Sequence, residues 1–298
     1  MEKQKKLENI PKIDELKKSI QKFKKCNLSK IGHGKLWQTL ENEFGFIPFL
    51  KRTIDQGEID RARINNKIGE IFTSENEISY REDINNINSY GRANAPFQSI
   101  FYGAIPTNEI KYPRITSLIE TSEIFRDIPK NKFIDAHFIM TLGKWEIKKP
   151  LNVIDLIYNK HNVENIEDIQ ISNEDAKKMI AKNFPDHIEQ IELILEFFSD
   201  EFAKSNIRSD NDYKISCIYS QMAISQGVDG IIYPSVRTKA MGYNIALTPL
   251  SVNSSLQLSK ASMHIIEKQK DDTNIGNYKI ALDLGDFNSN FKWQLAEK

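Results

Sequence analysis

The chain has 298 residues, of which 40% are hydrophobic and 28% are charged, and its 41 lysines and arginines balance its 41 aspartates and glutamates. This composition excludes an intrinsically disordered protein and leaves room for a large buried core. Because the net charge is zero, no global field draws the chain to nucleic acid or to a membrane surface, and we expect neither as a partner.

The cysteine, histidine and hydropathy patterns exclude further classes. Cys26 and Cys217 lie far apart and give neither a disulfide framework nor a zinc-binding spacing. The five histidines are scattered along the chain, so we expect no metal site. The N-terminal segment lacks the apolar core of a signal peptide, and no apolar run has the length of a membrane span. Together these patterns predict a cytoplasmic protein.

Residues 1–57 are predicted to form an N-terminal helical extension. The segment LWQTLENEFGFIPFLKRTI is one of its helical patches, and an earlier helix has lysines opposite an apolar stripe. A short helix is marginal in water unless its apolar stripe is covered, so we expect the extension to pack on the protein's own body or on a second copy. The stripe consists of Ile13, Leu16, Ile20 and Phe23.

Strands and one helix are predicted in the next part of the chain. IDRARIN alternates between apolar and polar residues, as a strand does, and SIFYGA is a second strand candidate. ITSLIETSEIFRD is typical of a helix with Ile115, Leu118, Ile119 and Ile124 turned inward. HFIMTL and KWEIKK are predicted to be strands, and LNVIDLIYNK is predicted to be a helix.

The remainder of the chain is predicted to contain helices followed by strands. Ser172 and Asp175 resemble a capping box at a helix start, and Pro185 opens a second helix. YKISCIYSQMAIS is typical of a further helix, whereas DGIIYPSV, NIALTPL and NYKIALDLG are predicted to be strands. Because strands and helices do not alternate steadily, the pattern favours an α+β fold over a doubly wound sheet.

Polar residues stand at several junctions between these predicted elements. Arg61 lies in a strand, Glu120 lies among apolar residues of a helix, and Ser235 follows an apolar strand. A glycine–arginine loop precedes the strand that ends at Tyr102. Taken singly, these residues have structural explanations, such as an ion pair between Arg61 and Glu120 or a turn at Ser235. Taken together, they suit a nucleotide that carries phosphate and a reactive ribose.

Four segments resemble the RES domain family and occur in that family's order: IDRARIN, GRANAPFQSIFYGA, SLIETS and GVDGIIYPSVRTKAMGYNIALTP. The resemblance covers residues 58–252, which would form the catalytic domain, with residues 253–298 as a C-terminal strand and tail packed on it. It implies an ADP-ribosyltransferase-like mixed sheet core with flanking helices, beyond which the N-terminal helical extension lies. The family includes toxins that consume NAD⁺ or transfer ADP-ribose.

The resemblance also implies the residues of the site. The arginine, glutamate and serine of the family name correspond to Arg61, Glu120 and Ser235, which would be the catalytic residues. The residues implied in NAD⁺ binding are Arg61, Gly91, Arg92, Tyr102 and Asn244. The chain departs from the family pattern at Ala62 and Ala93, where toxin members carry aromatic residues, so stacking surface is lost at both positions.

NAD⁺ is the implied substrate, with no metal. Losing nicotinamide leaves positive charge on the ribose, as glycoside cleavage does. Glu120 would stabilise that charge through the ribose hydroxyls, Arg61 would hold the diphosphate, and Ser235 would orient the ribose or the carboxylate. Gly91 would let the loop backbone approach the ligand, and Arg92 would offer a planar fork of donors to it or would instead brace the loop itself.

Several activities remain open on the sequence alone. The chain would be a glycohydrolase or phosphorylase of NAD⁺, including the toxin of a toxin–antitoxin pair with an antitoxin as partner. It would otherwise be an ADP-ribosyltransferase with a protein acceptor, or a catalytically idle module that binds a nucleotide or a partner. The acceptor is not encoded in these residues, and water, phosphate and a protein side chain would each define a different enzyme.

Overall fold

The computed structural model describes residues 9–65, 69–126, 134–156, 166–270 and 272–296. Within these ranges the α-helices are α1 (Ile13–Lys25), α2 (His33–Phe44), α3 (Glu75–Ile78), α4 (Pro113–Thr121), α5 (Glu123–Arg126), α6 (Glu167–Asn183), α7 (Ile188–Phe202), α8 (Lys214–Ser225) and α9 (Pro249–Ser255). The strands are β1 (Lys51–Ile54), β2 (Glu58–Asn65), β3 (Phe101–Ile105), β4 (Ala136–Ile147), β5 (Leu151–Asp155), β6 (Gly230–Pro234), β7 (Tyr243–Leu247), β8 (Leu256–Gln269), β9 (Asp272–Asp283) and β10 (Lys292–Leu295). The chain is therefore a mixed α+β protein with helices flanking its β-structure, as predicted.

The described residues group into two compact units, each assembled from separate stretches of the chain. The first unit is drawn from Met1–Arg52, Ile87–Gln98 and Val153–Tyr233, and the second from Thr53–Asn86, Ser99–Asn152 and Pro234–Lys298. The N-terminal helices α1 and α2 thus share a unit with α6, α7 and α8, and the C-terminal strands β8, β9 and β10 belong to the second unit.

The first unit has an aromatic core between its helices. Leu16, Ile20 and Phe23 of the α1 stripe are all buried. The Phe23 ring stacks on Phe44 of α2 at 5.7 Å and lies 5.9 Å from Phe197 of α7, measured between ring centroids. The apolar stripe of the N-terminal extension is therefore covered by the chain's own helices.

The first unit also holds the parallel strand pair β5 and β6, which carries a buried carboxylate. Val153 pairs with Gly230, and Asp155 pairs with Ile232. One oxygen of Asp155, Oδ2, lies 3.3 Å from Arg52 Nη1, and the other, Oδ1, is buried with no hydrogen-bond partner among the described residues. Burial raises the pKa of Asp155 to about 6, against a partial lowering by Arg52.

This raised pKa predicts that Asp155→Asn stabilises the protein at neutral pH. The folded pKa of about 6 lies above the unfolded value of about 3.9, so the stability is highest while Asp155 is protonated and is lost as the pH rises through 6. We expect the variant to gain up to about 3 kcal/mol of unfolding free energy over wild type at pH 7.5 and little at pH 4, measured by urea unfolding.

Asp83→Asn provides a control of opposite sign. The Arg81 side chain lowers the pKa of the exposed Asp83 carboxyl to about 2. The stability that ionised Asp83 contributes is therefore present above its unfolded pKa and is lost as the pH falls towards 2. The Asp83 variant should therefore be slightly less stable than wild type at pH 7.5. Destabilisation of the Asp155 variant at pH 7.5 would mean that its ion pair with Arg52 outweighs its burial.

The second unit is built on antiparallel strands in the order β7-β3-β2-β4-β8-β9-β10. The longest pairing joins β4 to β8 over the whole length of β4. On one face of the sheet, Phe101 packs edge-on against Trp145 with ring centroids 5.0 Å apart. Gly143 is required beside that ring, because a Cβ at this position would lie 2.4 Å from Trp145. Helix α4 packs against β2 on the other face.

Most of the predicted strands are confirmed. IDRARIN, SIFYGA, DGIIYPSV and NIALTPL form β2, β3, β6 and β7, while HFIMTL and KWEIKK join into the single strand β4. The prediction of a helix at LNVIDLIYNK is wrong, because this segment begins with β5, and residues 157–160 lie outside the described residues. Leu151, Val153 and Ile154 are buried. A strand that is buried on both faces carries apolar residues on both, so its sequence lacks the apolar–polar alternation by which a half-exposed strand is recognised.

Three details of the predicted helices are also wrong. The predicted helical patch LWQTLENEFGFIPFLKRTI is helical only as far as Phe44, where α2 ends at Gly45 with a positive φ, and its last four residues form strand β1. Ile115 is 44% exposed, because it lies in the first turn of α4 outside the face that packs on β2. Ser172 does not start a helix but lies inside α6, which begins at Glu167 with acidic residues in its first turn. No helix in the described ranges is both long and apolar enough to cross a membrane.

Candidate functional site

Glu120 lies near the end of α4, which is fixed to strand β2. Leu118 of α4 packs in an apolar cluster with Ala62 of β2. The Ser117 hydroxyl donates a hydrogen bond of 2.7 Å to the backbone oxygen of Asp60. These contacts tie the helix to the strand, and so they fix the position of Glu120 against the sheet.

The Glu120 carboxylate is held by side chains that follow it in sequence by more than a hundred residues. Ser235 Oγ donates to Oε1 at 2.6 Å, and Asn244 Nδ2 donates to the same oxygen at 3.0 Å. Arg237 Nε lies 3.3 Å from the other oxygen, Oε2. Ser235 and Asn244 are buried, whereas 29% of the Glu120 side chain is exposed. The carboxylate is thus anchored by buried donors, and solvent still reaches part of it.

The loop of residues 235–242 supplies Ser235 and Arg237 and has a closed shape. Its ends are joined by a hydrogen bond of 2.7 Å from Ser235 N to Gly242 O, and the buried Thr238 hydroxyl accepts a bond from Gly242 N at 2.9 Å. Lys239 and Ala240 have φ angles of 53° and 67°, in the left-handed region that costs a side-chain-bearing residue about 1–2 kcal/mol. Such conformations persist where the surrounding bonds impose them.

Gly242 lets this loop approach α4. A Cβ at Gly242 would lie 2.2 Å from Oγ1 of the fully buried Thr116. A side chain at this position would therefore push the 235–242 loop away from α4 and separate Ser235 from Glu120.

The strand register brings Tyr102 and Asn244 to the face of the sheet that carries α4. Ala104 of β3 pairs with Asp60 of β2 and with Asn244 of β7. Directly paired residues share a face, and Tyr102 lies two residues before Ala104 on the same strand, so it shares that face too. Tyr102, Asn244 and Glu120 are therefore on one side of the sheet.

Arg61 lies on the opposite face. It directly follows Asp60, and successive residues of a strand point to opposite faces. Its guanidinium lies 5.3 Å from the centroid of the Phe101 ring. Nε donates to the backbone oxygen of Ile78 at 3.1 Å, and Nη1 donates to the backbone oxygen of Tyr102. The side chain thus fastens β3 and the end of α3 to β2.

The electrostatics of Arg61 follow from this burial. Desolvation, together with the smaller effect of the nearby Arg63 charge, lowers the pKa of Arg61 to about 9. The group is still a cation at neutral pH, which strengthens its bonds to the two carbonyls. Within the described residues it forms no ion pair with Glu120, whose cationic neighbour is Arg237. The structural alternative of an Arg61–Glu120 ion pair is therefore wrong.

Gly91 and Arg92 lie in the first unit. Gly91 N donates to the backbone oxygen of Asn94 at 2.9 Å, which closes the loop. Arg92 Nη2 donates to the backbone oxygen of Lys204 at 2.8 Å, and its guanidinium lies 5.0 Å from the Tyr213 ring centroid. Among the described residues its Nη1 is buried without a hydrogen-bond partner. Arg92 thus ties its loop to the helical part of its own unit.

Ala62 and Ala93 are both buried. The resemblance to the RES family leads us to expect aromatic residues at these two positions. Ala62 lies under α4 with Leu118 and Met140, and Ala93 is 1% exposed. A ring at either position would have to displace packed neighbours. The two departures therefore concern the packing of the protein interior as well as the stacking surface.

The part of the chain that the structure describes contains no group of three or more histidine, cysteine, aspartate and glutamate side chains placed to hold a metal ion, and His161 lies outside it. Burial raises the pKa of the Cys217 thiol to about 12, so this group is a poor nucleophile at neutral pH.

Arg237 is the site residue that sequence reasoning missed. The available signal is its place two residues after Ser235, inside a segment that the family resemblance covers. Its partner is not readable from the sequence, because Glu120 belongs to a distant helix.

Neither a scan against protein-family models nor a search of the curated proteins finds a match for this chain.

Proposed function

We propose that this chain is an NAD⁺-consuming enzyme that cleaves the bond between nicotinamide and ribose, on an ADP-ribosyltransferase-like fold of the RES type, in the cytoplasm. The observation that carries the proposal is the Glu120 carboxylate, anchored at Oε1 by Ser235 and Asn244 and partly exposed. The sequence resemblance selects Glu120 and Ser235 independently of their contact, which supports the same reading.

The chemistry follows from the bond that breaks. As nicotinamide leaves with the bonding electron pair, positive charge develops on the ribose, as in glycoside cleavage. Glu120 accepts hydrogen bonds from the ribose hydroxyls, and these bonds strengthen as the charge develops. The carboxylate therefore stabilises the transition state more than the bound substrate.

Ser235 and Asn244 act on the carboxylate. Both donate to Oε1, and we assign the ribose hydroxyl to the other oxygen, Oε2, which lies 3.3 Å from Arg237 Nε. Because both donors are buried and fixed, the carboxylate needs little reorganisation when the charge appears, and preorganisation of this kind is a large part of enzymatic rate enhancement. Tyr102, on the same face of the sheet, offers a phenol ring against which nicotinamide or ribose packs.

A second candidate is a catalytically idle module that binds a nucleotide. The ion pair between Arg237 and Glu120 favours it, since it occupies the oxygen that catalysis requires. Among active enzymes, water, phosphate and a protein side chain are the alternative acceptors of ADP-ribose. A protein acceptor would make the chain an ADP-ribosyltransferase, and a rapid loss of cellular NAD⁺ would suit a toxin held by an antitoxin.

Incubation of the purified protein with NAD⁺, with and without phosphate, tests the proposal when the products are identified by mass. We expect free nicotinamide in both buffers if water is the acceptor, and only in the phosphate buffer if phosphate is the acceptor. ADP-ribose as co-product identifies water as the acceptor, a phosphorylated ADP-ribose that forms only with phosphate identifies phosphorolysis, and a mass increase of the protein identifies transfer. Unchanged NAD⁺ together with measurable nucleotide binding would contradict the proposal and support the idle module.

A further inference from the structure

Binding a dinucleotide calls for a cation that meets its diphosphate, and the chain has an arginine on the Glu120 side of the sheet. The family resemblance implies that Arg61 binds the diphosphate. Arg61, however, lies on the other face of the sheet, where Nε and Nη1 donate to the backbone oxygens of Ile78 and Tyr102. Arg237 instead lies against Glu120, with Nε 3.3 Å from Oε2 and 30% of its side chain exposed. Its guanidinium is therefore within reach of a ligand that Glu120 contacts.

The ion pair between Arg237 and Glu120 is one that a ligand can replace. Nearly a third of each side chain is exposed, and ion pairs in such surroundings contribute little, because solvent screens them. A diphosphate carries more negative charge than one carboxylate and presents several acceptor oxygens. The planar fork of an arginine matches this arrangement with two parallel hydrogen bonds.

Glu120 keeps its position when Arg237 leaves. Its Oε1 is bonded to the buried Ser235 and Asn244, and neither bond depends on Arg237. The loop that carries Arg237 is closed by its own backbone bonds between Ser235 and Gly242. These bonds do not involve the Arg237 side chain, so they can hold the carboxylate and the loop while that side chain moves.

We propose that Arg237 binds the diphosphate of NAD⁺, pairing with Glu120 in the ligand-free protein and exchanging the carboxylate for the diphosphate when the dinucleotide enters. The inference rests on the proposed function, because it takes NAD⁺ as the ligand. The exchange also releases Oε2 of Glu120 for the ribose hydroxyls. Recognition of the diphosphate and exposure of the catalytic oxygen are thus one event, and a nucleoside without phosphates does not trigger it.

Titration calorimetry with ADP and with adenosine tests this inference. Arg237→Ala should weaken ADP binding by about tenfold to a hundredfold, the range expected for a charge-assisted contact, and leave adenosine binding unchanged. Arg208→Ala, which removes an exposed arginine of the first unit, is the matched control and should bind ADP as wild type does. Equal ADP affinity in wild type and Arg237→Ala, or no ADP binding by wild type, would overturn the inference.

A second measurement separates exchange from a structural role of Arg237. In Glu120→Gln the arginine no longer faces the negative charge of Glu120, so ADP should bind several-fold more tightly than to wild type. The same change made in the Arg237→Ala background should give a much smaller gain. A purely structural arginine would weaken ADP and adenosine alike, and an equal gain in both backgrounds would indicate simple repulsion between Glu120 and the diphosphate. Either result would contradict the exchange.

The two proposals fail in different ways. If NAD⁺ is not consumed but the ADP titrations behave as expected, the proposed activity is wrong and Arg237 remains a diphosphate-binding residue of an idle module. If Arg237→Ala loses its cooperative unfolding transition, the Glu120→Gln variant decides, since tighter ADP binding supports the exchange and unchanged binding refutes it.

Discussion

Glu120→Gln is expected to slow NAD⁺ turnover by about a hundredfold or more, equivalent to roughly 3 kcal/mol of transition-state stabilisation. Glutamine keeps the shape of the side chain and still accepts from Ser235 and Asn244 through its amide oxygen. It lacks the negative charge that meets the developing ribosyl cation. The loss should therefore fall on kcat and much less on the binding of substrate.

Glu123→Gln is the matched control for this experiment. Glu123 is an exposed carboxylate three residues after Glu120, at the start of α5. Its amide variant should turn over NAD⁺ at the wild-type rate, measured by nicotinamide release under saturating NAD⁺. Near-normal turnover in Glu120→Gln would remove Glu120 from the catalytic machinery.

Arg61→Ala is expected to destabilise the protein by about 3 kcal/mol. The change removes two charge-assisted hydrogen bonds, to the backbone oxygens of Ile78 and Tyr102, and leaves both acceptors without that donor. It also removes the guanidinium that covers the Phe101 ring. The measurement is urea unfolding, with Arg81→Ala as the control, because an exposed arginine paired with an exposed aspartate contributes at most about 1 kcal/mol.

The same Arg61 variant discriminates between two assignments of the diphosphate contact. If Arg237 binds the diphosphate, folded Arg61→Ala protein should retain ADP affinity within a few-fold of wild type. If the Arg61 variant unfolds like wild type but no longer binds ADP, Arg61 would be the residue that contacts the diphosphate, as the family resemblance implies. It would also contradict the exchange at Arg237.

Much of the scaffold around Glu120 is predictable from local sequence patterns. The alternation in IDRARIN predicts β2, and the apolar runs SIFYGA and NIALTPL predict β3 and β7. The helical spacing of the segment around Leu118 predicts α4. Each of these patterns depends on the burial of one face of a single element. Because that face is formed by residues close together in the sequence, its apolar residues recur at a regular spacing. LNVIDLIYNK shows the limit of this reading, because a short apolar run suits a buried strand and a buried helix equally well.

The sequence by itself determined which elements carry Arg61, Glu120, Ser235 and Asn244. Only the tertiary structure decided which of these side chains meet. The strand register places Arg61 on one face of the sheet, and Glu120 and Asn244 lie on the other. A shift of the register by one residue would move every side chain of a strand to the opposite face. The contact of Arg237 with Glu120 requires the 235–242 loop to fold back onto α4. Register and loop closure arise from pairings between distant segments, which no local periodicity records.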